Sequence, residues 1–138
     1  MNYQEALKFI ENTVQNAGEM GLEAIDNLLD ELGHPEDKLK FIHVGGTNGK
    51  GSVSAYLSFI LASAGYKVGR YISPTIREYR ERIQTLEYRD REYVSCYITE
   101  EKIIKWTARI KEAYSLLEQK GKQMLTEQFE KQLKKYHT

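Results

Sequence analysis

The sequence holds a single cysteine, Cys96, in 138 residues. That excludes an intrachain disulfide and any cysteine-rich metal site. It also lacks an excess of either charge, with 20 Lys and Arg against 20 Asp and Glu. No global field draws it to nucleic acid or to an anionic membrane surface. Long apolar runs are missing as well. The opening MNYQEALKFIENTVQ mixes charges into its apolar positions and predicts neither a signal peptide nor a membrane span, so a cytoplasmic protein is expected. What is present is an ordinary globular composition, 41% hydrophobic and 29% charged, with length for one modest core.

Periodicity supplies the elements. Tyr3, Ala6, Leu7, Ile10 and Val14 recur at helical spacing, and Gly18 and Gly21 interrupt them. Leu22, Ile25, Leu28, Leu29 and Leu32 mark a second helix, which Gly33-His34-Pro35 stops. Lys40 to Val44 reads as a buried strand, followed by a segment with four glycines between residues 45 and 51. Val53, Tyr56, Leu57, Ile60, Leu61 and Ala64 mark the next helix, with Gly65 placed to end it and Lys67 to Ile72 as a strand. Strand, glycine loop, helix and strand predict a parallel βαβ unit. Residues 73–82 read as a loop. Ile83–Tyr88 and Tyr93–Ile98 read as a hairpin around Arg89-Asp90-Arg91-Glu92. Thr99 caps a long helix carrying Ile103, Trp106, Ile110, Ala113, Tyr114 and Leu117, with a break expected at Gly121. Phe129, Leu133 and Tyr136 keep helical spacing in a hydrophilic tail.

The fold class is therefore α/β, but incomplete. A nucleotide-binding domain of this kind needs four or five parallel strands, and only two are credible here. The uncovered sheet edge predicts self-association.

The stretch HVGGTNGKGS, residues 43–52, carries the chemistry. A strand leading through glycines into a helix aims free backbone N–H groups at a positive helix end, a ready anion site. Gly45, Gly46, Gly49 and Gly51 let the backbone close on phosphate oxygens, and Lys50 supplies a point charge. Thr47 and Asn48 can bond within the loop or to a nucleotide. The strict phosphate-loop signature fails twice, with Val44 at its first glycine and Gly51 at its magnesium-binding hydroxyl. Ser52 follows one residue late. Ser73, at the end of the second strand, is the alternative hydroxyl, weighed evenly against an ordinary strand-end serine. His43 reads as a packed strand histidine, His34 as a helix-end residue meeting terminal carbonyls, and Cys96 as a small buried hydrophobe. Trp106 and the ten tyrosines read as packing residues, since no basic stripe accompanies them.

HVGGTNGKGS, then GYKVGRYISP, then RERI, resembles the N-terminal part of the folylpolyglutamate synthase/dihydrofolate synthase family, which groups with the Mur ligases. LGHPEDKLKFIHV upstream is similar to the family's approach to the loop. The resemblance implies a Mur ligase-like phosphate-loop domain and an ATP-dependent ligase. ATP phosphorylates the carboxylate of folate or dihydropteroate, and the amino group of L-glutamate attacks the acyl phosphate. It implies an ATP phosphate site at Gly46, Thr47, Asn48, Gly49, Lys50, Gly51 and Ser52, with Lys50 as the catalytic cation. Mg2+ would be held by Ser73, with Glu130 of the TEQFE segment as the nearest match to a second ligand. Pro74 and Arg82 would belong to the loop beside the folate pocket. Arg80 stands where the family has asparagine. The C-terminal glutamate-binding domain is absent from the 138 residues, which therefore read as an N-terminal part of the ATP-binding domain with little activity alone. Two alternatives are a non-catalytic nucleotide-binding or interaction fragment, and another phosphate-loop enzyme such as a small kinase. A kinase would show a hydroxyl directly after Lys50 and a later apolar strand ending in aspartate.

Overall fold

The computed structural model describes residues 1–16 and 22–136. The expected break at Gly18 and Gly21 lies outside them, as do the side chains of Val14, Phe129, Leu133 and Tyr136. The chain divides into two compact units, residues 1–40 with 105–138, and residues 41–104.

In the first unit, α1 (Tyr3–Asn16) opens on a reciprocal cap. The Glu5 N–H donates to Asn2 Oδ1 at 2.9 Å, and the Asn2 N–H donates to Glu5 Oε2 at 2.8 Å. Such a cap is worth about 0.5–2 kcal/mol. Helix α2 (Leu22–Leu32) ends where Gly33 adopts φ 78°. There the His34 N–H reaches the Leu29 carbonyl at 2.9 Å and the Gly33 N–H reaches Asp30 at 3.1 Å, a Schellman ending. Pro35–Lys38 then form one 3₁₀ turn. Helix α4 (Glu100–Tyr136) runs through Gly121, where the sequence predicts a break. A glycine in a helix interior costs only about 1 kcal/mol relative to alanine, which neighbouring turns offset. Ala6 and Ala113 are buried in this unit, and Lys120 pairs with Glu31.

The second unit is a helix on a small sheet. Helix α3 (Lys50–Ser63) is followed by β1 (Val68–Tyr71), β2 (Ile83–Arg89) and β3 (Glu92–Tyr97). The strands pair antiparallel in the order β1-β2-β3. Asp90 and Arg91, at φ 53° and 65°, make the two-residue turn that the twist of a hairpin favours. Gly65 (φ 95°) ends α3 with a second Schellman pair, the Tyr66 N–H to Leu61 and the Gly65 N–H to Ala62. Thr99 caps α4 as expected, its Oγ1 accepting from the Lys102 N–H at 3.2 Å. Phe59 and Ser63 seat α3 on the sheet against Tyr93, by an edge-on ring contact at 4.8 Å and a 2.6 Å hydroxyl bond. Leu86, Ala62 and Ile103 are buried here.

The mixed helix-and-strand class is as expected; the parallel βαβ core is not formed. Residues 41–46 have no regular structure, and β1 pairs antiparallel with β2. Parallel pairs persist where both faces are covered. Phe41 and Ile42 are 71% and 63% exposed, so nothing on this unit covers them. The apolar stripe of α3 is also divided. Ser58 and Ala62 are buried, while Tyr56 and Ile60 are 72% and 64% exposed. His43 is exposed outside any strand, and Cys96 is exposed on β3, where the sequence predicts burial. The causes differ: His43 lies in a segment that joins no strand and so has no sheet to pack on, whereas Cys96 is on a strand, where a side chain needs a layer on its own face to be buried.

Candidate phosphate-binding site

Gly49 is the N-cap of α3, at φ 78° and ψ 4°, and Gly46 stands at φ 147°. Both angles lie where L side chains are strained, so glycine is required at these two positions. The Gly49 carbonyl accepts the Val53 N–H at 3.0 Å, the first bond of the helix. The amides of Lys50, Gly51 and Ser52 fall in the opening turn, which has no intrahelical acceptors for them. Lys50 is therefore the first helical residue, exposed, with three successive N–H groups at the positive helix end. Gly46, Thr47, Asn48, Gly49, Gly51 and Ser52 are exposed with it. The sequence-predicted loop residues are thus brought together in one segment, and their donor set fits a polyphosphate.

Arg70 of β1 is the residue that sequence reasoning missed. Its Nη2 donates to the Gly51 carbonyl and its Nε to Ser54 Oγ, both at 2.9 Å. Ser54 Oγ in turn donates to the Gly51 carbonyl at 3.2 Å. In β1, Val68 and Arg70 share the half-buried face, and only that alternation hinted at the tie.

Ser73 follows β1 by two residues and is exposed. Its Oγ accepts from Arg82 Nη1 at 3.4 Å, which joins the expected metal hydroxyl to the expected substrate-loop arginine. A serine oxygen has a second lone pair, so this bond leaves room for a cation ligand. Arg82 Nε is buried without a hydrogen-bond partner, and its guanidinium lies 5.4 Å from the centre of the Tyr79 ring. Burial raises the Tyr79 phenol above its usual range, the nearby Tyr71 adds to this, and Arg82 opposes it. Pro74 is exposed, joined to Ser73 by a cis peptide bond.

The rest of that loop is held by Glu81, another residue unnoticed in the sequence. Its carboxylate accepts the N–H groups of Ile76, Arg77 and Glu78 at 3.3, 3.1 and 3.2 Å. Arg80 Nε donates to the Ile98 carbonyl at 2.8 Å, so this arginine anchors the loop to the end of β3. Glu130 is exposed on α4, in the unit of residues 1–40 and 105–138. A groove of about 370 Å³ in that unit is lined by Phe9, Thr13, Lys111 and Tyr114 and includes no residue of the glycine loop.

Also in that unit, His34 meets carboxylates where carbonyls are expected. Its Nδ1 bonds Glu36 Oε1 at 2.7 Å and its Nε2 bonds Asp30. Gly33 and His34 already satisfy the terminal carbonyls through their own N–H groups. The bonds to Glu36 and then Asp30 raise the imidazole pKa above 6.5, and the bond to His34 lowers that of Glu36.

No protein-family model matches the chain. It is 43% identical over 81 residues to the dihydrofolate synthase/folylpolyglutamate synthase of Bacillus subtilis, covering 59% of this chain and 19% of that protein. It is 46% identical over 56 residues to the dihydrofolate synthetase of Saccharomyces cerevisiae, covering 41% and 13%. It is 40% identical over 83 residues to the folylpolyglutamate synthase of Lacticaseibacillus casei, covering 60% and 19%. The solved folylpolyglutamate synthetase from Lactobacillus casei superposes with a TM-score of 0.72 at 33% identity, over 89% of this chain and 29% of that one. A complex of such an enzyme with AMPPCP and folate superposes at 0.68 and 31% identity, over 88% and 28%. The chain thus spans less than a fifth of the length of these curated relatives.

Proposed function

We propose that this chain, which resembles the folylpolyglutamate and dihydrofolate synthases in sequence and in fold, carries the ATP-phosphate site of a folate–glutamate ligase. The observation that supports this most is the start of α3, where left-handed Gly49 presents Lys50 and three opening-turn amides together. In the reaction, a carboxylate oxygen of folate or dihydropteroate attacks the terminal phosphorus of ATP and ADP leaves. The amino nitrogen of L-glutamate then attacks the acyl carbon, phosphate leaves, and an amide results.

Each residue has a role in that scheme. The Lys50 ammonium neutralises charge gathering on the transferred phosphoryl oxygens, where a fixed cation lowers the barrier most. The amides of Gly51 and Ser52 hold the phosphates in line with the incoming carboxylate, while Gly46, Thr47 and Asn48 shape the approach. The Ser73 hydroxyl is a suitable ligand for a nucleotide-bound Mg2+, which keeps several waters and needs few protein oxygens. Pro74 to Arg82 border the folate, and the positive charge of Arg82 suits its negative groups. Strands and surfaces beyond this chain would complete the enzyme, so the chain alone is expected to bind nucleotide with little turnover.

Calorimetric titration with Mg–ATP tests the assignment. Lys50→Ala is expected to weaken binding by roughly tenfold or more, the scale of one lost charged contact. Equal affinity in both proteins would remove the loop from the nucleotide site. A second reading, self-association, rests on the free edge of β1 and the exposure of Phe41 and Ile42. Sedimentation should show concentration-dependent association, and a clean monomer would overturn this reading.

A further inference from the structure

We infer that Arg70 is a positioning residue for the nucleotide, pinning the first turn of α3 so that its free amides face the phosphates; this rests on the nucleotide-binding reading. The guanidinium spans two acceptors at once, the Gly51 carbonyl and Ser54 Oγ, each at 2.9 Å. Gly51 is the residue most in need of such a tie. It has no side chain to pack, its Cβ position faces open space, and it follows the lysine that must meet the terminal phosphates. Fixing its carbonyl fixes the peptide plane between Gly51 and Ser52, and so the direction of the Ser52 N–H. Ser54 closes the triangle by its own bond to the same carbonyl.

Charge gives the second argument. A helix N-terminus is positive, so a guanidinium belongs by preference at the other end. Arg70 instead bonds within the opening turn of α3, at Gly51, the residue after Lys50. A polyphosphate at that turn would meet a positive helix end with two cationic side chains near it. A bound polyphosphate favours this placement of charge, which a purely structural tie between β1 and α3 would not need.

The test is Mg–ATP calorimetry on the full chain with Arg70→Leu, Arg70→Lys and Ser54→Ala, alongside wild type and Lys50→Ala. Arg70→Leu should weaken binding about tenfold, and Ser54→Ala about threefold. Arg70→Lys keeps the charge without the planar fork, so it should recover only part of the loss. Thermal melts of each variant separate folding from affinity. If wild type binds no nucleotide, the reading of the site and this inference fall together. If wild type binds and Lys50→Ala does not, but Arg70→Leu binds as wild type, the inference alone is overturned. Should Arg70→Leu fail to fold, wild-type affinity in both Arg70→Lys and Ser54→Ala would overturn it equally.

Discussion

Two loops flank the sheet of the second unit, and they spend their amides differently. In the loop that ends at Lys50, the last amides belong to the opening turn of α3 and have no helical acceptor. In the loop after β1, the amides of Ile76, Arg77 and Glu78 are gathered by the carboxylate of Glu81. Residues 45–49 and 73–78 are both irregular and largely exposed, and each adjoins cationic side chains. The contrast teaches what the proposed anion site requires, namely backbone donors that no side chain of its own loop gathers. Glu81 provides internally what a phosphate would provide from outside.

The sharpest way to break this comparison is Glu81→Ala. It strips three amides of their acceptor and should cost about 2 kcal/mol in chemical denaturation. Hydrogen exchange at Ile76, Arg77 and Glu78 should speed up while Mg–ATP affinity holds; a matching loss of affinity would show the two loops to be one structure. Gly49→Ala attacks the other loop. No atom lies within 4 Å of the added Cβ, so the cost is that of the left-handed backbone, about 1 kcal/mol, with weaker nucleotide binding. Gly51→Ala acts in the opposite sense. This position is helical and open, so alanine should stabilise the fold by about 0.5 kcal/mol while crowding the phosphate approach. A variant that is both more stable and binds as wild type would refute close phosphate contact at Gly51.

The smallest effect concerns His34, an imidazole between two carboxylates. Its folded pKa is raised above 6.5, so its contribution is complete below pH 6.5 and is lost as pH rises through the raised value. Glu36 runs the other way: its lowered pKa gives a contribution present above 4.5 that is lost as pH falls through the folded value. Proton NMR titration should place His34 above 6.5 and return it towards that value in Glu36→Gln. An unchanged midpoint would remove the pairing.

Much of this was legible in the sequence, and the misses share a pattern. Helix ends at Gly33 and Gly65, the cap at Thr99 and the turn at Asp90-Arg91 all follow from short-range chemistry. The glycine loop was equally visible, since strand-like residues, glycines and a helical period adjoin one another. What escaped depends on distant partners. Arg70 and Gly51 are 19 residues apart, and no local rule joins them. Residues 40–44 have the composition of a strand, but a strand exists only where a neighbour completes its hydrogen bonds. The period on α3 marks an apolar stripe, yet periodicity does not say which part of it meets the sheet. In the sequence Glu81 is one charge among several, because its partners are donating backbone amides, which a sequence does not display.

The order β1-β2-β3 has a consequence for how the second unit comes into being. Every strand pairs with its immediate neighbour in the chain, and the tightest link needs only Asp90 and Arg91. Such local pairings close within about 1–10 μs per hairpin, whereas parallel pairing must first bring distant segments together. The meander can therefore assemble as soon as residue 97 is available, and α3 then docks through Phe59 and Ser63 onto Tyr93. Stopped-flow refolding should show much of the sheet's signal already present at the first time point, and a slow sheet phase would count against local assembly.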